Sequence, residues 1–588
     1  MSKYDWNLKD LFENKEEFYN AIKNIKQELK GFDKYKGKLS ESADNIYECY
    51  NLYEKILLEF DKVYSYGMFS YHLNMAEQEG IKLFKEVESL SAELSMVTSF
   101  IVPEITFIDD EKINKYLEDN RLKRYERDIK DILDKKQHVL SKEEENLLAN
   151  YTEIFSAPEN IYDILTNAEF KFGTLIDEEG KEKEMTDATY SVYLKSQEAN
   201  VRKQAFELMY KKYSEYINTI TEMYLANVKK TAITAKLRKY KSSLEKATIN
   251  DDASIKVYEA LMEGINEGLS SNHKFIQLKK KLLNTEQMHF YDLYVNPFEQ
   301  DKDTITFEEA KKEVKEALKI LGKDYGKMLE IAFENNWIDV YEKPNKRGGA
   351  YSSGVYGVHP FVLMSFTGNK RDVSTIAHEL GHSMHSYYSS KNQNILDANY
   401  TIMVAEVAST VNEILLSEYQ INNEKDKKKK AELLYELLEM IRATFYRQSM
   451  FAEFEKYVHE NIENGKMMSA DDLNNIYYKL NEKYFGQDIF MDSYIQYEWA
   501  RIPHFYSDFY VYKYSTGISA AICIATKLLN KEEGFLEKYI NMLSQGCTKK
   551  SIELLKMVDV DLENKETYKT TVDFYNKKIK ELEKLISK

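Results

Sequence analysis

Three of the chain's ten histidines stand close together, at 378, 382 and 385. The first two frame His378-Glu379-Leu380-Gly381-His382, inside a run from Val373 to Tyr387 that suits an α-helix, with Asp372 or Ser374 placed to cap its start. At ~100° per residue, side chains four apart differ by only about 40° around a helix axis. His378 and His382 therefore point the same way, and their imidazoles can converge on one tetrahedral Zn2+. Glu379 lies beside them, able to reach a water on the metal without occupying it. Zinc lowers the pKa of such a water towards ~7. A neighbouring carboxylate can take its proton and later deliver it to a leaving amine. The chemistry implied is hydrolysis around a single ion, with no need for a serine or thiol nucleophile.

Two imidazoles alone hold zinc weakly, so a third ligand is required, and two side chains compete for the place. His385 lies three residues beyond His382 on roughly the same face. A single straight helix, however, cannot easily wrap three ligands around one tetrahedral ion. Glu406 is better placed, in the next helical stretch from Met403 to Glu413. A helix there can return antiparallel and present a carboxylate from across the gap. Its neighbours Val404, Ala405, Val407 and Ala408 put Glu406 on a buried face, where an unpaired carboxylate is costly. The expected set is His378, His382 and Glu406, with His385 as the alternative third ligand. Ser409 or Glu413, one and two turns on, are placed to orient a ligand histidine.

The elements that must carry these groups are mostly helices. The chain has 588 residues, 43% of them hydrophobic and 31% charged, with 21 glycines and only 6 prolines. Scarce breakers and long Glu/Lys/Leu-rich stretches predict a mainly α protein, too long for one core. Apolar spacing such as Tyr53, Ile56, Leu57, Phe60 and Val63 predicts long helices from about Leu8 to Lys135, broken near Gly31–Gly37 and at Pro103. Helical pattern continues from Glu145 to Thr285, with a turn or small hairpin around Lys171–Met185. Between Met288 and Thr367, aromatic and β-branched residues mix with Gly and Pro, which predicts a small sheet with loops. Gly348, Gly349 and Gly354 would let a peptide backbone come close there, and His359 is a turn residue beside Pro360. From Val373 onward the pattern is helical, and Lys425–Lys430 is a solvated loop or helix start.

The formal net charge of -16 argues against a nucleic-acid partner. Three cysteines without paired spacing argue against a cysteine zinc site and fit a reducing compartment. With no secretory signal and no membrane span visible, the expected location is the cytoplasm. Oligomeric state is not readable.

Several segments, in order, resemble one family. HELGHSMHSYYS, AEVASTVNE and IPHFYSDFYVYKYSTG, with the opening WNLKDLF, the KRGGAYSSG segment and LLSQGCTKKSIELLKMVDVDL, are similar to the oligoendopeptidase F group of the thimet oligopeptidase-like zinc peptidases. The likeness spans nearly the whole chain. It implies a helical zincin with a small β-sheet near the active site and a deep substrate channel between two helical halves. An N-terminal helical domain would span 1–195 and a catalytic domain 196–588. It implies one Zn2+ per chain on His378, His382 and Glu406, Glu379 as general base, and internal cleavage of short oligopeptides. A tetrahedral intermediate needs a further donor for its oxygen. The family binds substrate with a histidine and tyrosines from the stretch that here runs from His504 to Tyr514. His504 matches clearly; among the tyrosines Tyr512 is favoured, then Tyr510, then Tyr506. The same ligands would serve a carboxypeptidase or dipeptidyl carboxypeptidase of this fold. A non-catalytic helical peptide-binding protein is the remaining reading, opposed by the intact Glu379.

Overall fold

The structure is a computed structural model that describes residues 3–298 and 304–587. It divides into two compact units, each assembled from three stretches of chain. The first comprises Met1–Val139, Asp303–Gln420 and Ile524–Val560; the second comprises Leu140–Lys302, Ile421–Cys523 and Asp561–Lys588. Helices dominate both, as the scarcity of glycine and proline predicts.

In the first unit, Ser42 starts α1 (Ala43–Leu73) by accepting a hydrogen bond from the Asn45 backbone. α2 (Gln78–Thr98) packs along it, with Ile56, Val63 and Phe69 of α1 and Leu83, Val87 and Leu90 of α2 buried in a common core. Trp6, from the opening WNLKDLF, joins this core to the sheet. Its ring lies 4.9 Å from Phe69 and 5.7 Å from Phe361. Its backbone N–H donates to Asp339 and its indole N–H to the Trp337 carbonyl.

The small sheet expected between Met288 and Thr367 is a three-stranded one made of β1 (Ile338–Tyr341), β2 (Tyr351–Ser353) and β3 (Phe361–Phe366), in the order β1-β3-β2. β3 runs parallel to β1 and antiparallel to β2, with Ser352 opposite Val362. The central strand is almost wholly buried, and β2 is an edge. The turn between β1 and β2 is held from inside. Lys346, its side chain 1% exposed, pairs with the Asp339 carboxylate at 2.6 Å and donates to the carbonyls of Tyr341 and Met364 at 2.7 and 2.6 Å. Next to it, Arg347 donates through its guanidinium to His72 Nε2 at 2.8 Å. Because a guanidinium only donates, Nε2 must be the accepting nitrogen. Nδ1 then carries the proton and donates to the Tyr351 hydroxyl at 2.8 Å. The last turn of α1 thus braces strand β2. Burial, reinforced by the Arg347 charge, pushes the His72 pKa down to about 4.

α3 (Lys370–Asn392) and α4 (Ile402–Asn423) follow. The cap of α3 is Asn369, in place of the expected Asp372 or Ser374. Gly368, with a φ of 89°, turns the chain so that Asp372 falls at the third helical position. There its carboxylate accepts from the backbones of Thr367, Gly368 and Asn369, while Asn369 accepts from Asp372 N, a reciprocal capping box.

In the second unit the hairpin expected around Lys171–Met185 is present, pairing Thr174–Ile176 with Glu182–Glu184. Lys279 is fully buried, bonded to Glu439 at 2.7 Å and to the Leu293 carbonyl. Among the described residues no single helix is long and apolar enough to cross a membrane.

The brace on β2 has a pH signature. His72 titrates near 6.5 when the chain is unfolded and near 4 when folded. The stability it contributes is therefore complete above about 6.5 and lost as pH falls from there to about 4. The gap in unfolding free energy between wild type and His72→Phe should shrink over that window in urea titrations. A gap independent of pH would mean that the imidazole is not held neutral.

Candidate metal centre

α3 and α4 meet at a glycine. A Cβ on Gly381 would lie 2.5 Å from Ser409 Cα and 2.8 Å from the Ala408 carbonyl, so the two backbones are in contact and no side chain fits between them. On one side of this point buried Asn412 donates to the Ala377 carbonyl at 3.0 Å, fixing the register of the two helices. Register and closeness together bring Glu406 and Glu413 of α4 to the histidines of α3.

The result is a tight trio. His378 Nε2 and His382 Nε2 are 3.2 Å apart, and Glu406 Oε2 lies 3.7 Å from the first and 3.8 Å from the second. Two atoms bound tetrahedrally at about 2.05 Å from one zinc stand about 3.3 Å apart, so the donor set fits such an ion. Among the described residues this is the one group of three His, Cys, Asp or Glu side chains whose ligand atoms all lie within 4.8 Å of one another. Glu413 accepts a hydrogen bond from His378 Nδ1, which leaves Nε2 as the nitrogen turned towards His382 and Glu406. Glu406, expected on a buried face, keeps 42% of its side chain exposed, and the Ser409 hydroxyl donates to its Oε2 at 3.3 Å and steadies the carboxylate.

The electrostatics favour a cation at the same point. Burial works against a charged His378, but the carboxylates of Glu413, Glu379 and Glu406 outweigh it and lift its pKa to about 9. His382 is pushed down to about 3 by burial and by the adjacent His378. One positive charge is thus drawn between two nitrogens that face each other, which is where a divalent ion would serve both. Glu379 is 6% exposed. Burial chiefly raises its pKa to about 7; His378 and a hydrogen bond from the Ser352 backbone oppose that rise, and Glu406 and Glu413 add to it. Strand β2 therefore touches the candidate base directly. It is fixed to α3 a second time where Ser352 and Ser383 join their hydroxyls at 2.8 Å.

His385 is 1% exposed and stacks on Tyr400, rings 3.6 Å apart and 5° from parallel. Burial holds it neutral, with a pKa near 3. Gly348 and Gly349 face open space, whereas Gly354 is small for packing, since a Cβ there would meet Ser386 at 2.7 Å. His359 is sandwiched between Trp337 and Phe361, more than a turn residue.

The other predicted residues lie in the second unit. His504 is exposed, and with Tyr510 and Tyr514 it forms an aromatic group with centroids 5.5–6.1 Å apart. Tyr512, first choice among the tyrosines, is wholly buried, and its hydroxyl donates to Asp251 at 2.8 Å. It is a core residue, and Tyr510 and Tyr514 are the hydroxyls beside His504. Tyr506 is also buried, against Tyr162. The contact at Gly381 and the Ser352 backbone were not anticipated. The small residues Ala405, Ala408 and Ser409 on α4 were the available sign of close helix packing.

Known proteins similar to this chain are peptidases. The model of peptidase family M3 matches residues 192–574, and that of oligopeptidase F matches residues 104–172. Oligopeptidase PepF of Bacillus subtilis (strain 168) is 38% identical over 588 residues, covering 99% of this chain and 87% of its own. A solved peptidase structure from Chlamydophila abortus superposes with a TM-score of 0.93 at 32% identity, over 100% of this chain and 99% of that one. Oligoendopeptidase-F from Enterococcus faecium gives 0.75 at 31% identity, over 97% and 99% of the two chains.

The helix contact is testable by the smallest possible addition. Gly381→Ala gains helix propensity, but its methyl group must push α3 and α4 apart, an overpacking cost of about 1–3 kcal/mol. A lower thermal midpoint and reduced metal content by elemental analysis are expected. An unchanged midpoint with full metal content would show that the helices are not in contact there.

Proposed function

We propose that this chain, which belongs to peptidase family M3 and is a metalloendopeptidase acting on oligopeptides, holds one Zn2+ on His378, His382 and Glu406 and uses Glu379 as its general base. The observation that carries the proposal is the triangle of two imidazole nitrogens and one carboxylate oxygen, 3.2, 3.7 and 3.8 Å on its sides, with Glu379 one residue from the first ligand. When bound, zinc supplies a Lewis acid that polarises the scissile carbonyl and makes water acidic enough to ionise near neutral pH.

The protein's own groups do the rest. Glu379, largely shielded from solvent, accepts the proton of the attacking water and returns it to the departing amine. The Ser352 N–H orients its carboxylate from β2. Glu413 fixes the tautomer and direction of His378, and Ser409 steadies the direction of the Glu406 carboxylate. His385, locked against Tyr400, backs the ligand helix. As an edge strand, β2 would offer the main-chain groups that Glu379 does not engage to an extended peptide, a mode of binding indifferent to side-chain sequence. His504 and Tyr510 are proposed as substrate-binding donors, beside Tyr514, whose hydroxyl lies 3.4 Å from His504 Nε2.

Glu379→Gln keeps the shape but cannot accept the proton. It should retain its metal and lose turnover of an internally quenched peptide by ~10²–10⁴-fold. Near wild-type cleavage would remove Glu379 from the mechanism. Glu406→Ala should lower metal content measured by elemental analysis; full occupancy would remove Glu406 from the ligand set.

A further inference from the structure

Among the described residues with positive φ, Phe509 is the one aromatic; the other non-glycine cases are Asn, Asp and Lys. Its φ of 54° is a conformation in which a bulky side chain strains the backbone, and it persists only where the surroundings enforce it. The enforcement is visible. Glu455, with no exposed surface, accepts the Phe509 N–H at 2.7 Å. The Phe509 ring is buried against His459, 4.5 Å away, and Tyr258, 6.0 Å away. One residue earlier, Asp508 accepts from Asn227 at 3.0 Å and from the Thr231 hydroxyl. Both donors stand on the helix Ile217–Leu237, whereas Glu455 and His459 stand on Gln448–Glu463.

Two helices therefore grip two consecutive residues, and those residues separate His504 from Tyr510. Burial pushes the Glu455 carboxyl well above the usual carboxylate range, and the Asp508 carboxyl is raised by burial too. Acids are kept in such costly places here, Glu455 bonded to the turn from one helix and Asp508 tying the turn to the other. Their effect is to fix where the segment leaves the core, and hence where the side chains on either side of the kink point.

We propose that Glu455 and Asp508 are positioning residues: they hold the left-handed turn at Phe509 that sets His504 and Tyr510 in the orientation in which they bind substrate. The proposal rests on the assignment of His504 and Tyr510 to substrate, and the test separates the two. A misplacement of reactive groups by about 1 Å costs ~10²-fold, so a loosened turn should be expensive for catalysis.

The experiment is a double-mutant cycle in the full-length protein, reading kcat and KM on an internally quenched oligopeptide, with metal content and thermal midpoint as controls. Glu455→Leu removes the acceptor and should lower kcat/KM by ~10–100-fold with metal content unchanged. Glu455→Gln keeps an acceptor oxygen and should recover most of that loss. In a His504→Ala background the Glu455→Leu penalty should largely vanish, because the group it positions is already gone. An equal penalty in both backgrounds overturns the proposal and makes Glu455 an ordinary core residue. His504→Ala with wild-type activity overturns instead the assignment of this segment to substrate. Should Glu455→Leu fail to fold, Thr231→Val loosens Asp508 from the opposite helix and enters the same cycle with the same expectations.

Discussion

The contact between Gly381 and Ser409 sets the distance on which the rest of the site depends. An imidazole reaches only so far from its helix, and a carboxylate on a second helix must arrive within about 4 Å of it to share an ion. With a side chain at 381 the two backbones could not meet, and Glu406 and Glu413 would be held away from the histidines. The contact is kept in register by the bond from Asn412 to Ala377, so closeness and phase are secured by different residues.

Around that contact the charges are arranged in layers. Two carboxylates from α4 and one from α3 face two imidazoles, one of which is stabilised as a cation while the other is strongly disfavoured as one. An isolated set of acids this close would repel; the nitrogens between them convert repulsion into affinity for positive charge. The sheet joins in through a single backbone N–H from Ser352, and the N-terminal segment supports the sheet through Trp6 and His72. Residues some 300 positions apart in sequence thereby bear on one carboxylate.

The gathering of His378, His382 and Glu406 was legible in the sequence because it follows from one helical period and one acid in the next helix. The helical class and the small sheet were legible for similar reasons, from periodicity and from the change of texture before Thr367. What escaped were features set by the approach of distant segments. Asn369 caps α3 because Gly368 turns the chain, and no local propensity distinguishes it from Asp372. Tyr512 and Tyr510 alternate in a tyrosine-rich stretch where only the packed structure tells which faces Asp251 and which faces outward. The kink at Phe509 has no sequence sign at all, since nothing about phenylalanine announces a left-handed backbone.

Lys346 and Lys279 give the two units a chemical readout of their own. Each amine is sealed, with side-chain exposure of 1% in the first unit and 0% in the second, and each is bonded to a carboxylate and to at least one backbone carbonyl. An acylating reagent cannot meet either nitrogen until its surroundings part. The rate at which each lysine is labelled therefore counts the openings of its own unit, and the ratio of the two rates tells which unit breathes more often.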